Sequence, residues 1–210
     1  MNELAFNFDE DTLVEAEATG GSFGTLDTGI YDVTINFASL GKSKKGNNTL
    51  ALDITTADGH QTTIWGAFGT IDRTWSSGAE NFRYGTFQAL MAAVGAKSIT
   101  PTPYQLKKDD GTLIKDLSVI KELHGKTCKL AIQKVLDVYN GEVTEKNEIH
   151  SCYNNKGQTY LEVKSNTESE KLAKVASRLQ DKLTKEYKAM GSMPATGAPI
   201  EDDIDVGSLL

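Results

Sequence analysis

The stretch GIYDVTINF, residues 29–37, alternates Tyr31, Val33, Ile35 and Phe37 with Asp32, Thr34 and Asn36. Successive side chains of an extended chain point to opposite faces, so a period of two marks a strand with one face buried and the other wet. The alternation predicts that the four apolar residues face a core. Immediately downstream, residues 41–48 form a turn-rich loop, and a second alternation sets Leu50, Leu52 and Ile54 on one face. Asp58-Gly59 supplies residue types that tolerate positive φ in a tight turn, and residues 61–68 read as a third strand. Three strands linked so closely predict an antiparallel meander.

Further along, Phe87, Leu90, Met91 and Val94 recur at helical spacing and Gly95 follows them as a stop, so residues 86–94 predict a helix. Pro101, Pro103 and Asp109-Asp110-Gly111 predict a loop, with a second short helix near residues 117–123. Residues 126–138 read as a fourth strand and about 143–153 as a fifth. Asn140-Gly141 between them is the strongest of the short hairpin signals. A last short strand is expected over 159–163. Thr167 and Glu170 make a capping box ahead of a stripe of Leu172, Val175, Leu179, Leu183 and Tyr187, which predicts one amphipathic helix to Met190.

Strand, strand, strand, helix, strand, strand is the order of an OB-fold, a five-stranded antiparallel barrel with a helix between strands 3 and 4. The expected organisation is an acidic N-terminal arm (1–28), the barrel (29–165), a C-terminal amphipathic helix (166–190) and a disordered linker with an acidic tail (191–210). The linker prediction rests on its Gly, Ser, Ala and Pro composition.

The net charge is −7, but its distribution is uneven. Residues 1–18 hold six acids without a base, and Glu201, Asp202, Asp203 and Asp205 add four more in the last ten residues. Setting those ten negative charges aside turns −7 into +3 for residues 19–200. A mildly basic body between two acidic ends fits an anion binder carrying anionic tails. Such a tail, with Leu209 and Leu210 at its tip, can compete with an anionic ligand for the body and, once displaced, engage a partner.

Binding of unpaired nucleic acid needs cations along the phosphates and aromatic faces for the bases. Lys42, Lys44 and Lys45 in the first loop supply the former. Trp65, Trp75, Phe82 and Tyr84, interleaved with Arg73 and Arg83, are candidates for the latter. Packing in the core is the competing reading for each aromatic residue. Lys129 and Lys134 on the fourth strand extend the candidate basic path, or protect an edge.

Enzyme chemistry has little to rest on. His60, His124 and His150 are isolated, Cys128 and Cys152 lack metal-ligand spacing, and no phosphate-binding or hydrolase motif is present. No catalytic residue, cofactor or metal is expected. No apolar run approaches the roughly 20 residues that span a bilayer, so no membrane partner is expected either.

Gly29-Ile30-Tyr31-Asp32-Val33, then Ser43-Lys44-Lys45-Gly46-Asn47 ahead of the second strand, then Asp58-Gly59, resemble the bacteriophage single-stranded DNA-binding proteins. The linker and acidic tail are similar to those of T7-type phage and bacterial members. The resemblance implies sequence-independent coating and protection of single strands during replication, recombination and repair, in the cytoplasm of an infected bacterial host. It also implies recruitment of replication proteins by the tail. One departure is that the family tail commonly ends in an aromatic residue beside its acids, whereas this chain ends Gly207-Ser208-Leu209-Leu210. A strand-annealing or duplex-DNA-binding protein and an OB barrel that binds only proteins are the alternatives.

Overall fold

Residues Gly29–Lys42 form β1, fourteen residues long and so able to serve two partners on one edge. The computed structural model describes residues 24–75, 77–107 and 113–191. On one side β1 pairs antiparallel with β2 (Asn48–Thr56), which pairs in turn with β3 (Gln61–Ile64). On its other side the first half of β1 pairs with β6 (Lys126–Tyr139), from Gly29 opposite Ile132 to Ile35 opposite Lys126. The second half instead meets β5 (Leu113–Val119) at Ser39 and Leu40, and β5 continues to β4 (Thr102–Lys107). β6 also carries β7 (Glu142–Tyr153), joined by a two-residue turn in which Asn140 and Gly141 have φ of 53° and 83°. Positive φ at both positions matches the twist of the flanking strands.

The molecule is therefore mainly β, an eight-stranded and almost wholly antiparallel sheet. It is not a closed five-stranded ladder. Among the described residues one backbone hydrogen bond reaches β7 from the turn that follows β3, from Ile149 N–H to the Ala67 carbonyl at 3.4 Å. The sheet stays open there because β3 stops at Ile64 rather than running on to Phe68, the chain turning at Gly66 with φ of +58°.

Inward faces of the curled sheet enclose one core that includes Val33, Ile35, Leu52, Ile54, Leu130 and Ile132. Helix α1 (Tyr84–Ala93) covers it with Phe87, Leu90 and Met91. The core begins before β1. Leu26 is buried, its N–H donates to Asn147 Oδ1 and its carbonyl accepts from Asn147 Nδ2, both at 2.8 Å. Residues 24–28 of the expected arm are thus docked on the sheet, Thr25 and Leu26 on β7 and Asp27 and Thr28 on Lys134 of β6. Residues 1–23 of that arm, and all of the expected linker and tail beyond Gly191, lie outside the described residues.

Four expectations are corrected. Phe37 does not continue the inward alternation, because a β-bulge at Asn36 shifts the register between Ile35 (opposite Ile54) and Phe37 (opposite Asp53). The extra residue reverses the phase, so Ala38 is buried and Phe37 turns outward. The loop expected from Pro101 and Pro103 and the short helix expected near 117–123 are instead the strands of the β4–β5 hairpin and one 3-10 turn, Lys121–Leu123, while Asp109-Asp110-Gly111 of the expected loop lie outside the described residues. Residues 159–163 do not form a strand, because Thr159 and Glu162 make a reciprocal capping box that starts α2 (Tyr160–Lys164).

Finally, the single helix expected over 166–190 is α3 (Glu170–Ala176), a two-residue strand β8 (Lys182–Leu183) and α4 (Lys185–Gly191). β8 pairs in parallel with Val135 and Leu136, the part of β6 that β1 leaves uncovered beyond Ile132. Covering a bare strand edge outweighs continuation of the helix.

Candidate functional site

On the outer face of β1, β2 and β3 the register stacks side chains in rows. Phe37, Asp53 and Thr63 form one row, with Phe37 opposite Asp53 and Asp53 opposite Thr63. Ser39 and Ala51 lead the next, and Trp65 follows directly after β3. Gly41 and Thr49 form the third. Small residues in the middle and aromatic residues at the margins leave a groove of about 760 Å³, with Tyr104 and Leu117 of the β4–β5 hairpin on its far wall.

Three aromatic rings line this groove: Phe37, Trp65 and Tyr104. Trp65 is 72% exposed, which a residue of that size shows only when none of the described residues packs over it. Phe37 is held from behind. Its ring stacks on His124 with centroids 5.1 Å apart and meets Tyr104 edge-on at 6.1 Å. His124 is itself fixed, since its Nε2 accepts the Ala38 N–H at 3.2 Å. Rigid aromatic faces of this kind are ready to stack on a planar ligand without first losing side-chain freedom.

At one end the groove reaches Lys42. Lys44 and Lys45 stand exposed on the adjoining turn, which closes through Ser43 N–H to the Asn47 carbonyl and Gly46 N–H to the Ser43 carbonyl, both 2.9 Å. Gly46 has φ of +81°, a conformation a side chain would strain. Asp72 anchors the turn from below, accepting from the Asn48 N–H at 2.7 Å and Asn48 Nδ2 at 2.6 Å. Burial works against the Asp72 charge, but the Asn48 donors outweigh it and hold its pKa below the ordinary value, with Thr70 and Lys42 assisting. The lining holds one lysine, Lys42, and one aspartate, Asp53, so the groove is aromatic and polar rather than strongly basic.

The other expected residues sort by what they touch. Phe82 is 83% exposed and Arg73 is exposed, but neither lines the groove. Trp75 is half-buried against Gly69. Arg83 is engaged internally, donating to Glu148 at 2.7 Å and to the Ile149 carbonyl at 3.0 Å. Tyr84 opens α1 and tilts against Phe87. Lys129 pairs with Asp32, and Lys134 with Asp27 at 2.8 Å and Glu145 at 3.5 Å. Both lysines of the candidate basic path on the fourth strand are thus paired with carboxylates of the same chain. Glu201, Asp202, Asp203, Asp205, Leu209 and Leu210 lie outside the described residues.

Sequence reasoning placed Trp65 and Lys42 at the site but missed Phe37, Tyr104 and the polar floor around Asp53. Tyr104 sits between Pro103 and Gln105, a context that reads as loop. Among the described residues no cluster of three or more His, Cys, Asp or Glu could hold a metal ion, and no helix is long and apolar enough to cross a membrane. No protein-family model matches this chain, and a search of the curated proteins finds no match for it.

Proposed function

We propose that this protein binds single-stranded DNA without catalysis, laying the strand along the β1–β3 groove. The observation that carries the reading is the groove itself: three aromatic side chains at the margins of a floor of small residues, with the Lys42–Lys45 turn at its end. Base stacking on such faces contributes roughly 1–3 kcal/mol per base, and lysines beside them neutralise phosphates. The element order supports an OB-type core made of β1, β2, β3, β6 and β7 with α1 between β3 and β6. Its outer β1–β3 face is where that fold commonly takes oligonucleotides. In this reading the protein coats and protects single strands during phage DNA replication and recombination in the host cytoplasm, and its acidic tail competes with DNA and recruits replication proteins.

The test is a titration of intrinsic tryptophan fluorescence with oligo-dT at low salt. Quenching is expected on binding, and Trp65→Ala is expected to remove most of the quenching and weaken affinity about tenfold, in line with the loss of one stacked base. A second titration with duplex DNA at equal salt separates single-strand binding from duplex binding.

A module that binds only proteins is the second reading, favoured by one observation: Asp53 puts a negative charge in the centre of the groove. No affinity for any oligonucleotide, even after removal of residues 192–210, would favour it.

A further inference from the structure

Asp53 stands in the middle strand of the groove floor, and its neighbours fix what it can offer. Asn36, the bulged residue of β1, donates from Nδ2 to Asp53 Oδ1 at 2.8 Å and to Thr55 Oγ1 at 2.7 Å. Both hydrogens of that amide are thereby used, and its carbonyl oxygen is left. Thr63 donates its hydroxyl hydrogen to Asp53 Oδ2 at 3.1 Å. Every donor of the trio is engaged, two on Asp53 and one on the neighbouring Thr55. What remains for a ligand is a set of acceptors: carboxylate lone pairs, an amide oxygen and a hydroxyl oxygen.

Such a floor repels phosphate and accepts N–H. A strand in the groove must turn its backbone to the rim, near Lys42, and its bases to the floor. Bases differ in what they bring there. Cytosine, adenine and guanine carry an exocyclic amino group, and a carboxylate accepting from cytosine N4 is an established pairing. Thymine and uracil bring one N–H flanked by two carbonyl oxygens, which face the acceptors unfavourably.

We infer that Asp53, oriented by Asn36 and Thr63, makes the groove select bases that carry an exocyclic amino group over thymine and uracil. This deepens the single-strand reading above and rests on it. Binding is then not uniform in base composition. A cytosine-rich strand sits with Asp53 hydrogen-bonded, whereas a thymine-rich strand leaves the trio facing carbonyl oxygens.

The experiment uses the full chain at neutral pH and measures anisotropy with fluorescent oligo-dC, oligo-dU and oligo-dT of equal length. Cytosine and uracil have the same ring and differ only along one edge, where the N4 amino group and N3 acceptor of cytosine become a carbonyl oxygen and an N3–H in uracil, so this pair tests the amino-bearing edge without a protein variant. Oligo-dC is expected to bind about fivefold or more tighter than oligo-dU, the low end for one good base contact. Asp53→Asn, whose side chain adds an N–H donor, is expected to abolish or reverse that ratio. Thr63→Val, which frees one carboxylate oxygen but keeps the β-branched shape, should shrink it. Equal affinity for all three oligonucleotides, or a ratio unchanged in Asp53→Asn, overturns the inference while leaving single-strand binding intact. Absence of binding to all of them overturns both.

Discussion

Cys128 and Cys152 show how much one residue's environment decides. Cys152 is opposite Leu130 in the β6–β7 register, which places Cys128 diagonally across from it, and both thiols are free and buried. Burial pushes the Cys128 thiol up to about 12, with the Asp32 charge adding to the effect. Burial likewise raises Cys152 well above its ordinary value, and Cys128 adds to it. The thiolate is the reactive form, so neither side chain reacts while the fold is intact. A thiol-exchange assay at pH 8 is expected to show no release from the native protein and two equivalents after guanidinium unfolding. Prompt native reactivity would show that the β6–β7 interior opens. Phe37 is the complementary case. Its outward position depends on the Asn36 bulge, and an Asn in a run of alternating residues looks no different from any other wet-face residue. A one-residue insertion in a ladder leaves no compositional trace, so the sequence reading assigned the groove's best-supported ring to the core.

Elements were legible where local chemistry and tertiary demand agree. The β1–β2–β3 meander, α1 and the β6–β7 hairpin follow from period-two alternation, helical spacing and Asn140-Gly141. β4 was not legible because Pro103 reads as a breaker, although proline is tolerated on a strand at a sheet edge. The segment after β7 was misread because its apolar stripe suits one helix, while the bare edge of β6 required a strand at Lys182–Leu183. What holds this segment is Glu162. Its buried carboxylate accepts from Thr159 N–H and Oγ1 at 2.7 and 2.9 Å, and from the first turn of α3 through Glu170 and Lys171 N–H at 3.0 and 2.9 Å. Burial opposes its charge, but these backbone and hydroxyl donors win and bring its pKa from 4.5 to about 2. A depressed carboxylate stabilises the fold fully above its unfolded pKa and loses that contribution as pH falls towards the folded one. Hydrogen-exchange protection over residues 160–176 is therefore expected to fall between about pH 4.5 and 2, ahead of the β-sheet. Glu162→Ala should remove about 1–3 kcal/mol from the same segment at neutral pH, the cost of stranding buried donors. Equal protection in that variant would mean the caps do not hold it. Gly157 adds a steric lock on the same segment, since its φ is +79° and a Cβ there would stand 2.7 Å from Leu172 Cδ2.

For the whole molecule, the question that the proposed function raises is how a chain of net charge −7 would hold a polyanion. The groove contributes little, since Asp53 offsets Lys42 within it. Attraction must come from the exposed Lys44 and Lys45 beside it and from the net +3 of residues 19–200, against ten acidic charges at the two ends. Three loop lysines on three phosphates predict that log affinity falls with log salt at a slope of about −2, each phosphate contributing about 0.7 for single strands. A segment tethered to the body acts at an effective concentration near the millimolar range. An anionic segment that binds the lysines even weakly therefore competes with DNA at every concentration of protein. Deleting residues 192–210 is expected to tighten oligonucleotide binding about two- to tenfold at low salt, and the gain should shrink as salt screens both ligands. The two measurements are linked. If the tail competes for the loop lysines, then Lys44→Ala with Lys45→Ala must weaken DNA binding, flatten the salt slope and reduce the gain from the deletion together. A deletion that still tightens binding in the lysine variant would place the competition elsewhere on the body. A deletion that leaves affinity unchanged in the native sequence would remove the tail from the mechanism, and the acidic ends would then serve only the solubility of the chain.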